Sequence, residues 1–472
     1  MDDNRIYRML PGVDKLLNNK IIAAYIREFG KDLVLNSIRK TLEHYREGIK
    51  SGKPAPNEKE ILDLIYKAIC ISGNRSLKKV YNATGIIIHT NMGRAPLGKA
   101  MLKESAEIIE GYCNIEFDLE KATRGNRNDH AKNILKFITG AEDILIVNNN
   151  AAAVMLILRT FARNREVIVS RGELIEIGGS FRIPEIMQAS DCKMIEVGTT
   201  NKTRAGDYEK AINRDTAALF KAHKSNYAIR GFADEVDIKG LVKLGKKYGI
   251  PVIYDIGSGM LRKPANLAMG EEPDVREAIK SGADLVCFSG DKLMGGPQAG
   301  IIAGTAEKIS MLKNEPMFRA LRVCKITLAF LETASRYYLN DDLLKENSLI
   351  FKIMSRKAGE LKKTAGLLKN ELATAGIESE IIKSNGQFGG GSMPDTTIPG
   401  YAVKIRFGTN KTKAAAIAEK SHRELLIGET PVLGVLKSGE LCFDVLTVFP
   451  DDIPVIAGKI ITVLKDVNRR MI

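Results

Sequence analysis

Seven short apolar runs between about residue 140 and residue 303 most constrain the fold that this chain can adopt. They are Ile144 to Val147, Val167 to Val169, Met194 to Val197, Ala217 to Phe220, Val252 to Tyr254, Leu285 to Phe288 and Gly300 to Ala303. Most are separated by segments of helical length, such as Asp237 to Tyr248. Because the runs are continuously apolar rather than alternating, they indicate strands buried on both faces of a sheet. The pattern predicts an α/β fold with a mostly parallel seven-stranded sheet.

The chain has 472 residues, more than one core usually holds, so we expect two or three domains. We predict a helical N-terminal domain with its linker over residues 1–80, a large domain over residues 81–340 and a small α+β domain over residues 341–472. Residues 1–80 contain 16 Lys and Arg against 10 Asp and Glu, which is six of the chain's 14 net positive charges. A basic helical domain suits contacts to nucleic-acid phosphates, and equally a dimerisation arm with a solvated basic face.

The C-terminal region differs from the alternating pattern before it. A lysine-rich segment from Lys352 to Leu372 is typical of a helix. It leads to Gly389-Gly390-Gly391 and then to two strand-like segments, Tyr401 to Phe407 and Leu441 to Val448. This order predicts the smaller α+β domain.

Composition limits the class of protein. No segment reaches the roughly 20 apolar residues of a membrane span, and the first residues do not resemble a secretory signal. The six cysteines are scattered without metal-ligand spacing, which is typical of a reduced, cytoplasmic protein, and the five dispersed histidines give a metal site little support. A net charge of +14 suggests a polyanionic partner, although a merely basic surface is an open alternative.

Lys292 and Asp255 are the strongest catalytic candidates. Lys292 follows the apolar run that ends at Phe288 and precedes two glycines, and Asp255 ends the preceding apolar run. Burial lowers the pKa of a lysine and leaves an amine able to form a Schiff base with an aldehyde. Pyridoxal phosphate needs such a lysine, together with a carboxylate for its pyridinium nitrogen. A surface lysine on a loop is the alternative if the segment is taken alone.

A candidate phosphate site follows the run from Ile144 to Val147. Asn149, Asn150 and Ala151 lie where a helix is predicted to begin, and the amides at a helix start bind anions. Ser289 adds a hydroxyl donor three residues before Lys292. A helix that is simply capped by asparagine is the alternative.

Several further polar clusters lie near predicted strand ends. They are Asn82 to Pro96, Gly198 to Asn201 and Lys224 to Tyr227. Arg319 and Arg322 lie three residues apart, on one face if their segment is helical, and could clamp an oxyanion. Each cluster is also compatible with an ordinary turn or a solvated surface. We assign His89 and His223 to local hydrogen bonds rather than to base catalysis.

Five of these segments together resemble a known family. They are NATGIIIHTNMGRAP (82–96), NNNAAA (148–153), SRGELIEIGGSFRIP (170–184), GTTN (198–201) and SGDKLMGGPQAG (289–300). In this order they are similar to the bacterial L-seryl-tRNA(Sec) selenium transferases, also called selenocysteine synthases. The resemblance extends over nearly the whole chain.

The resemblance implies the aspartate-aminotransferase-like (type I) pyridoxal phosphate fold and a homodecamer built from dimers. It implies that Lys292 holds the cofactor aldehyde and that Asp291 lies near the reacting centre. Arg94, Arg319 and Arg322 are implied to hold the selenium donor, some of them from a neighbouring subunit. Thr199, Thr200 and Asn226 are implied, like Asp291, to lie near the reacting centre.

The implied reaction converts seryl-tRNA(Sec) to selenocysteinyl-tRNA(Sec). Water is eliminated to give an aminoacrylyl intermediate, and selenium is then added from selenophosphate. The N-terminal domain is implied to bind the tRNA. The alternatives are a small-molecule lyase of the same superfamily, similar to the ammonia lyases of amino-sugar phosphates, and a non-catalytic RNA-binding protein with this fold. The basic segment before residue 80 favours the tRNA enzyme over the lyase.

Overall fold

The computed structural model describes residues 10–177, 181–227, 229, 231–265, 267, 269–408 and 410–471. Gly178, Gly179 and Ser180, part of the segment 170–184, lie outside the described residues. The chain divides into two units, Met1–Lys79 and Val80–Ile472. The predicted border between residues 340 and 341 lies inside the second unit and stays a prediction.

The first unit is helical, as its sequence predicts. Its helices are α1 (Val13–Leu17), α2 (Lys20–Phe29), α3 (Lys31–Lys50) and α4 (Glu58–Gly73). Helix α2 ends at Gly30, whose φ of 84° lies in a region that side chains disfavour. Helix α4 begins with a capping box, in which Asn57 and Glu60 each accept a hydrogen bond from the other's backbone amide. Buried isoleucines, among them Ile22 and Ile38, form the core of this unit.

The second unit is built on a central sheet whose seven strands coincide with the seven apolar runs. They are β1 (Asp143–Val147), β2 (Glu166–Ser170), β3 (Lys193–Val197), β4 (Thr216–Ala222), β5 (Val252–Gly257), β6 (Leu285–Ser289) and β7 (Gly300–Gly304). Their spatial order is β1-β7-β6-β5-β4-β2-β3. Strand β7 is antiparallel to β6 and β1, and the other neighbours are parallel. The prediction of a mostly parallel seven-stranded sheet is confirmed.

Helices of the second unit pack against the central sheet and, towards the C-terminal end of the chain, against a second sheet. They are α5 (Gly98–Glu110), α6 (Lys132–Thr139), α7 (Asn150–Ala162), α8 (Ile183–Ala189), α9 (Ala205–Ala211), α10 (Ile238–Tyr248), α11 (Val275–Lys280), α12 (Ala306–Asn314), α13 (Lys325–Tyr337), α14 (Asp341–Asn347), α15 (Leu349–Met354), α16 (Ala358–Thr374), α17 (Lys411–Leu425) and α18 (Ile453–Met471). Helix α7 packs against several strands, with Val154, Leu156 and Leu158 buried. In the described part of the chain, no helix combines the length and the apolar character that a membrane span requires.

The C-terminal region contains a second, antiparallel sheet. Its strands are β8 (Ser379–Gly389), β9 (Ser392–Ile405), β10 (Val435–Lys437) and β11 (Glu440–Asp444), in the order β8-β9-β11-β10. The helix predicted over residues 352–372 is interrupted, because α15 ends at Met354 and α16 begins at Ala358. The strand predicted over residues 441–448 ends at Asp444, whose carboxylate accepts the amide of Leu446 and turns the chain.

Candidate active site

Lys292 and Asp255 meet at one edge of the central sheet. Asp255 lies in β5, and its register partner in the parallel neighbour β6 is Cys287. Lys292 lies in the turn after β6, and the amide of the following Leu293 donates to the carbonyl of Ser258 over 2.9 Å. The carboxyl ends of parallel strands lie on the same edge, so the tertiary fold brings these two residues together. Both are buried, with 5% of Lys292 and 3% of Asp255 exposed.

A cavity of about 180 Å³ opens at this edge. Eight residues selected from the sequence line it: Arg94, Asn149, Asn150, Ala151, Asp255, Ser289, Asp291 and Lys292. A cavity of about 150 Å³ accommodates a benzene ring in another protein, so there is room here for one substituted aromatic ring.

Burial governs the electrostatics of the cavity. It lowers the pKa of Lys292, and the nearby Asp255 carboxylate opposes this effect only in part. Burial also raises the pKa of Asp255. Two weaker effects lower it: a 2.7 Å hydrogen bond that the Asn150 side-chain amide donates, and the positive charge of Lys292. Both shifts favour the neutral form. The site therefore holds a lysine that is readily available as a free amine beside a carboxyl group whose ionisation would be favoured by a cationic ligand.

The start of α7 lies in the same cavity. The Asn149 side chain caps the helix by accepting the amide of Ala152 over 2.8 Å. The first amides of a helix have no partner inside the helix, and they attract phosphate. Among the described residues, no group satisfies the buried Oδ1 of Asn150. A cradle for an anion, an available amine and a buried carboxyl group fit the predicted cofactor, pyridoxal phosphate.

Arg94 and Asp291 form an ion pair on the cavity wall. Nη1 of Arg94 lies 2.7 Å from Oδ2 of Asp291, and the amide of Ala95 donates to the carbonyl of Asp291 over 3.1 Å. Arg94 has a φ of 58°, which is uncommon for a residue with a side chain. These contacts hold the guanidinium of Arg94 in the same cavity as Lys292, although the two residues are almost 200 positions apart in the sequence.

Arg319 and Arg322 line a different cavity, of about 500 Å³. Arg319 lies in a 3₁₀ helix over Pro316–Leu321, and Arg322 follows directly after it. The guanidinium of Arg322 is 3.3 Å from a carboxylate oxygen of Glu116, which also pairs with Arg127 at 3.0 Å. Within one chain, the structure therefore does not bring this arginine pair into the cavity of Lys292.

The three remaining candidates lie outside the lining of the Lys292 cavity. The Thr199 hydroxyl accepts the amide of Lys202 within its own turn. The carbonyl of Thr200 lies beside Gly172. The side-chain amide of Asn226 donates to the carbonyl of Glu176 over 2.7 Å.

His223 and Ser225 also line the cavity. The sequence assigned His223 to a local hydrogen bond, and it placed Ser225 within the polar cluster Lys224 to Tyr227 without selecting it as a site residue. The amide of His223 donates to the carbonyl of Asp255 over 2.8 Å, and its Nε2 lies 3.5 Å from the buried carboxylate of Glu272. In the described residues, Nε2 forms no hydrogen bond of normal geometry. Its position directly after β4, at the same sheet edge as Asp255, is the signal that could have identified it.

Comparison with known proteins shows the family of this chain. A family profile described as L-seryl-tRNA selenium transferase matches residues 80–449. The chain belongs to the L-seryl-tRNA selenium transferase family. A second profile, selenocysteine synthase N terminal, matches residues 7–46.

Two relatives and one solved structure illustrate how far the similarity extends. The L-seryl-tRNA(Sec) selenium transferase of Alkaliphilus oremlandii is 40% identical over 464 residues, which cover 97% of this chain and 98% of the relative. That of Clostridium botulinum is 40% identical over 468 residues, covering 98% and 100%. The structure of a D-glucosaminate-6-phosphate ammonia-lyase matches with a TM-score of 0.59 and 19% identity, covering 88% of this chain and all of that one. The predicted type I fold and family membership are confirmed.

Proposed function

We propose that this protein converts seryl-tRNA(Sec) to selenocysteinyl-tRNA(Sec), with pyridoxal phosphate as cofactor and selenophosphate as selenium donor. One observation carries the proposal: Lys292, Asp255 and the start of α7 converge in one buried cavity of a chain that belongs to this family. In the overall reaction the seryl hydroxyl leaves the β carbon and a selenol takes its place, while selenophosphate becomes phosphate.

Lys292 has two tasks in this reaction. When bound, pyridoxal phosphate supplies an aldehyde that condenses with amines and a ring that stabilises negative charge at Cα. The amine of Lys292 would hold the cofactor by its aldehyde carbon. The same Nζ would take the Cα proton of the seryl group, because its lowered pKa favours the uncharged amine that can accept a proton.

Asp255 and Asn150 control the ring nitrogen of the cofactor. The Asp255 carboxylate keeps that nitrogen protonated, because a buried negative charge strongly favours a neighbouring positive one. The Asn150 amide holds one carboxylate oxygen by a 2.7 Å hydrogen bond. The start of α7 and Ser289, which line the same cavity, would hold its phosphate.

Arg94 binds the selenium donor, and Asp291 orients its guanidinium through their ion pair. Arg319 and Arg322 line a separate cavity of the same chain, so they join this site from a second subunit. Exposed apolar side chains at Tyr112 and Leu119 support a contact between copies, because such a contact would remove them from water. We therefore expect a homo-oligomer, built from dimers to a decamer.

The N-terminal unit binds the tRNA, which agrees with its excess of six positive charges. The polyanionic tRNA is the partner that the basic composition suggests. The reaction takes place in the cytoplasm, because aminoacyl-tRNA is made and used there.

The decisive experiment adds seryl-tRNA(Sec) and selenophosphate to the purified, cofactor-loaded protein and measures selenocysteinyl-tRNA(Sec) by mass spectrometry. Lys292→Ala should abolish the product, whereas Lys363→Ala, at an exposed position on α16, should not. Product formation by the Lys292→Ala variant would refute the role of this lysine.

A complementation experiment tests the shared site. A Lys292→Ala subunit, inactive in its own cavity, is coexpressed with a subunit that carries Arg319→Ala and Arg322→Ala. If the arginines act in a neighbouring subunit, mixed oligomers regain activity. The control mixes a Lys292→Ala subunit with an Arg94→Ala subunit. These mixed oligomers should regain no activity, because Arg94 and Lys292 line the same cavity of one chain and each cavity then lacks one of them. Recovery only in the control would contradict the arrangement.

A separate assay tests the alternative function, that of a small-molecule lyase. A lyase would release ammonia from an amino-sugar phosphate and would leave seryl-tRNA(Sec) unchanged. The basic helical unit before residue 80 has no use in such a reaction, and its presence favours the tRNA substrate.

A further inference from the structure

The three consecutive glycines of the C-terminal region form the tip of the hairpin between β8 and β9. Gly389, Gly390 and Gly391 have φ values of 73°, 62° and 71°. All three lie in the left-handed region that residues with a side chain rarely adopt. The sequence identified this segment without assigning it a role.

The tip is held on two sides. The amide of Ile88 donates to the carbonyl of Phe388 over 2.7 Å, just before the glycines. After them, the amide of Met393 donates to the buried carboxylate of Glu272 over 3.2 Å. The turn is therefore hydrogen-bonded to other segments of the second unit on both sides.

Gly391 lies directly against the catalytic lysine. A Cβ atom at this position would be 3.8 Å from Nζ of Lys292 and 3.1 Å from Oγ of Ser225. It would also be 3.8 Å from Cβ of Asn226. The backbone of the hairpin therefore borders the space beside the amine, and a side chain at residue 391 would contact Nζ and approach the Ser225 hydroxyl closely.

A polar group borders the same space. Ser225 is 1% exposed, and its hydroxyl has no hydrogen-bond partner among the described residues. A buried hydroxyl without a partner is costly, unless a ligand satisfies it. Lys292, Ser225 and Gly391 thus surround a small volume that has both a reactive amine and a free hydroxyl.

We propose that Gly391 determines the room for the aminoacyl group of the substrate. This inference rests on the proposed function, because the substrate amine must take the place that Nζ of Lys292 occupies. The substrate Cα is then one bond from that place, and its side chain and ester carbonyl need the surrounding volume. A methyl group at residue 391 would occupy part of it, so glycine there admits the branched seryl group and limits what else can enter.

Gly391→Ala tests the inference, with Gly376→Ala as the matched control. Gly376 has a similar φ of 76°, and a Cβ there meets nothing within 4 Å, so the control carries the same backbone strain without the contact. We expect Gly391→Ala to keep the absorbance band of the bound cofactor and its borohydride-trapped attachment to Lys292. Its kcat/KM for seryl-tRNA(Sec) should fall by about 10- to 100-fold relative to the control, the range that overpacking produces.

Hydroxylamine separates a lack of room from a general defect. It attacks the same position but has no branched carbon, so its rate of reaction with the bound cofactor should stay within about threefold of the control. An equal loss with hydroxylamine and seryl-tRNA(Sec) would overturn the inference, as would unchanged turnover of seryl-tRNA(Sec). If instead the unsubstituted protein neither binds the cofactor nor acts on seryl-tRNA(Sec), the proposed function itself fails.

A second pair of variants removes the one tight contact of the added methyl group. Ser225→Ala is compared with the double variant Ser225→Ala/Gly391→Ala, in which the 3.1 Å approach to the hydroxyl no longer exists. The inference requires the methyl group to lower kcat/KM in this background too, by a similar factor. If the double variant matches Ser225→Ala, the contact with the hydroxyl caused the loss, and the inference is wrong.

Discussion

Replacing Asp255 with asparagine should remove the charge on which the cofactor depends while leaving the shape of the site unchanged. The side chain is 3% exposed and accepts a 2.7 Å hydrogen bond from Asn150. An asparagine oxygen can accept the same hydrogen bond, so Asp255→Asn isolates the effect of the negative charge from that of packing.

The expected loss follows from the burial of the pair. Removing one member of a buried charge pair costs about 3–5 kcal/mol. At about 1.4 kcal/mol per tenfold change in rate, this corresponds to a fall of between about 100-fold and a few thousand-fold. The loss should appear in the removal of the Cα proton, because that step places negative charge on the cofactor ring.

The assay follows exchange of the seryl Cα proton with deuterated solvent in cofactor-loaded protein, without a selenium donor. Asp342→Asn, at an exposed position in α14, is the control and should exchange at the unsubstituted rate. Exchange within about threefold of that rate in Asp255→Asn, with the cofactor bound, would refute the role assigned to Asp255.

The stability of the cofactor-free protein provides an independent check on this variant. Burial raises the pKa of Asp255, so the folded state favours its protonated form. The associated stabilisation is present at low pH and is lost as the pH rises through the pKa of the folded protein. Above that pKa, cofactor-free Asp255→Asn should unfold at the same temperature as the unsubstituted protein or at a higher one.

Three further predictions concern neighbouring groups. Because burial lowers the pKa of Lys292, the protein should attach the cofactor faster at neutral pH than free lysine does, as measured by stopped-flow absorbance. The rate should fall as the pH falls through that pKa. Identical pH profiles for the protein and for free lysine would contradict this prediction. Glu173→Gln removes the carboxylate that lies 2.7 Å from the buried Lys221 ammonium, and it should lower the free energy of unfolding in urea by about 3–5 kcal/mol. The exposed Glu185→Gln is the control and should cost less than about 1 kcal/mol. Equal losses in the two variants would be evidence against this prediction. Arg94→Lys loses a forked, charge-assisted contact and should raise KM for selenophosphate by roughly 10- to 100-fold without changing Cα proton exchange; a slowed exchange would assign Arg94 another role.

The central sheet was predictable because burial on both faces leaves a local signature. Six of the seven strands coincide with continuous apolar runs and are buried throughout, so no knowledge of their neighbours is needed to identify them. Strand β3, at the edge of the sheet, contains Glu196 and is only partly buried. Boundaries were less predictable. The strand expected over residues 441–448 ended early because the side chain of Asp444 turned the chain, a hydrogen bond that apolar content does not reveal.

The position of Lys292 and Asp255 at one sheet edge was predictable for a related reason. Lys292 and Asp255 follow or end apolar runs in neighbouring strands, and a charged residue at such a position is costly unless it has a function. His223 carries the same signal, but a single histidine after a strand has many ordinary explanations. Its proximity to Glu272 and Asp255 depends on segments about 30 to 50 residues away.

The sequence by itself determined the sheet, the buried lysine, the buried carboxylate and the start of the helix that follows the first strand, because burial and helix termini are properties of local segments. Only the tertiary structure decided which distant segments surround the lysine. It brought Arg94 and Gly391 to Lys292 from opposite ends of the second unit, and it directed Arg319 and Arg322 into another cavity. Such contacts arise from the packing of whole elements against each other, and local sequence patterns contain no record of that packing.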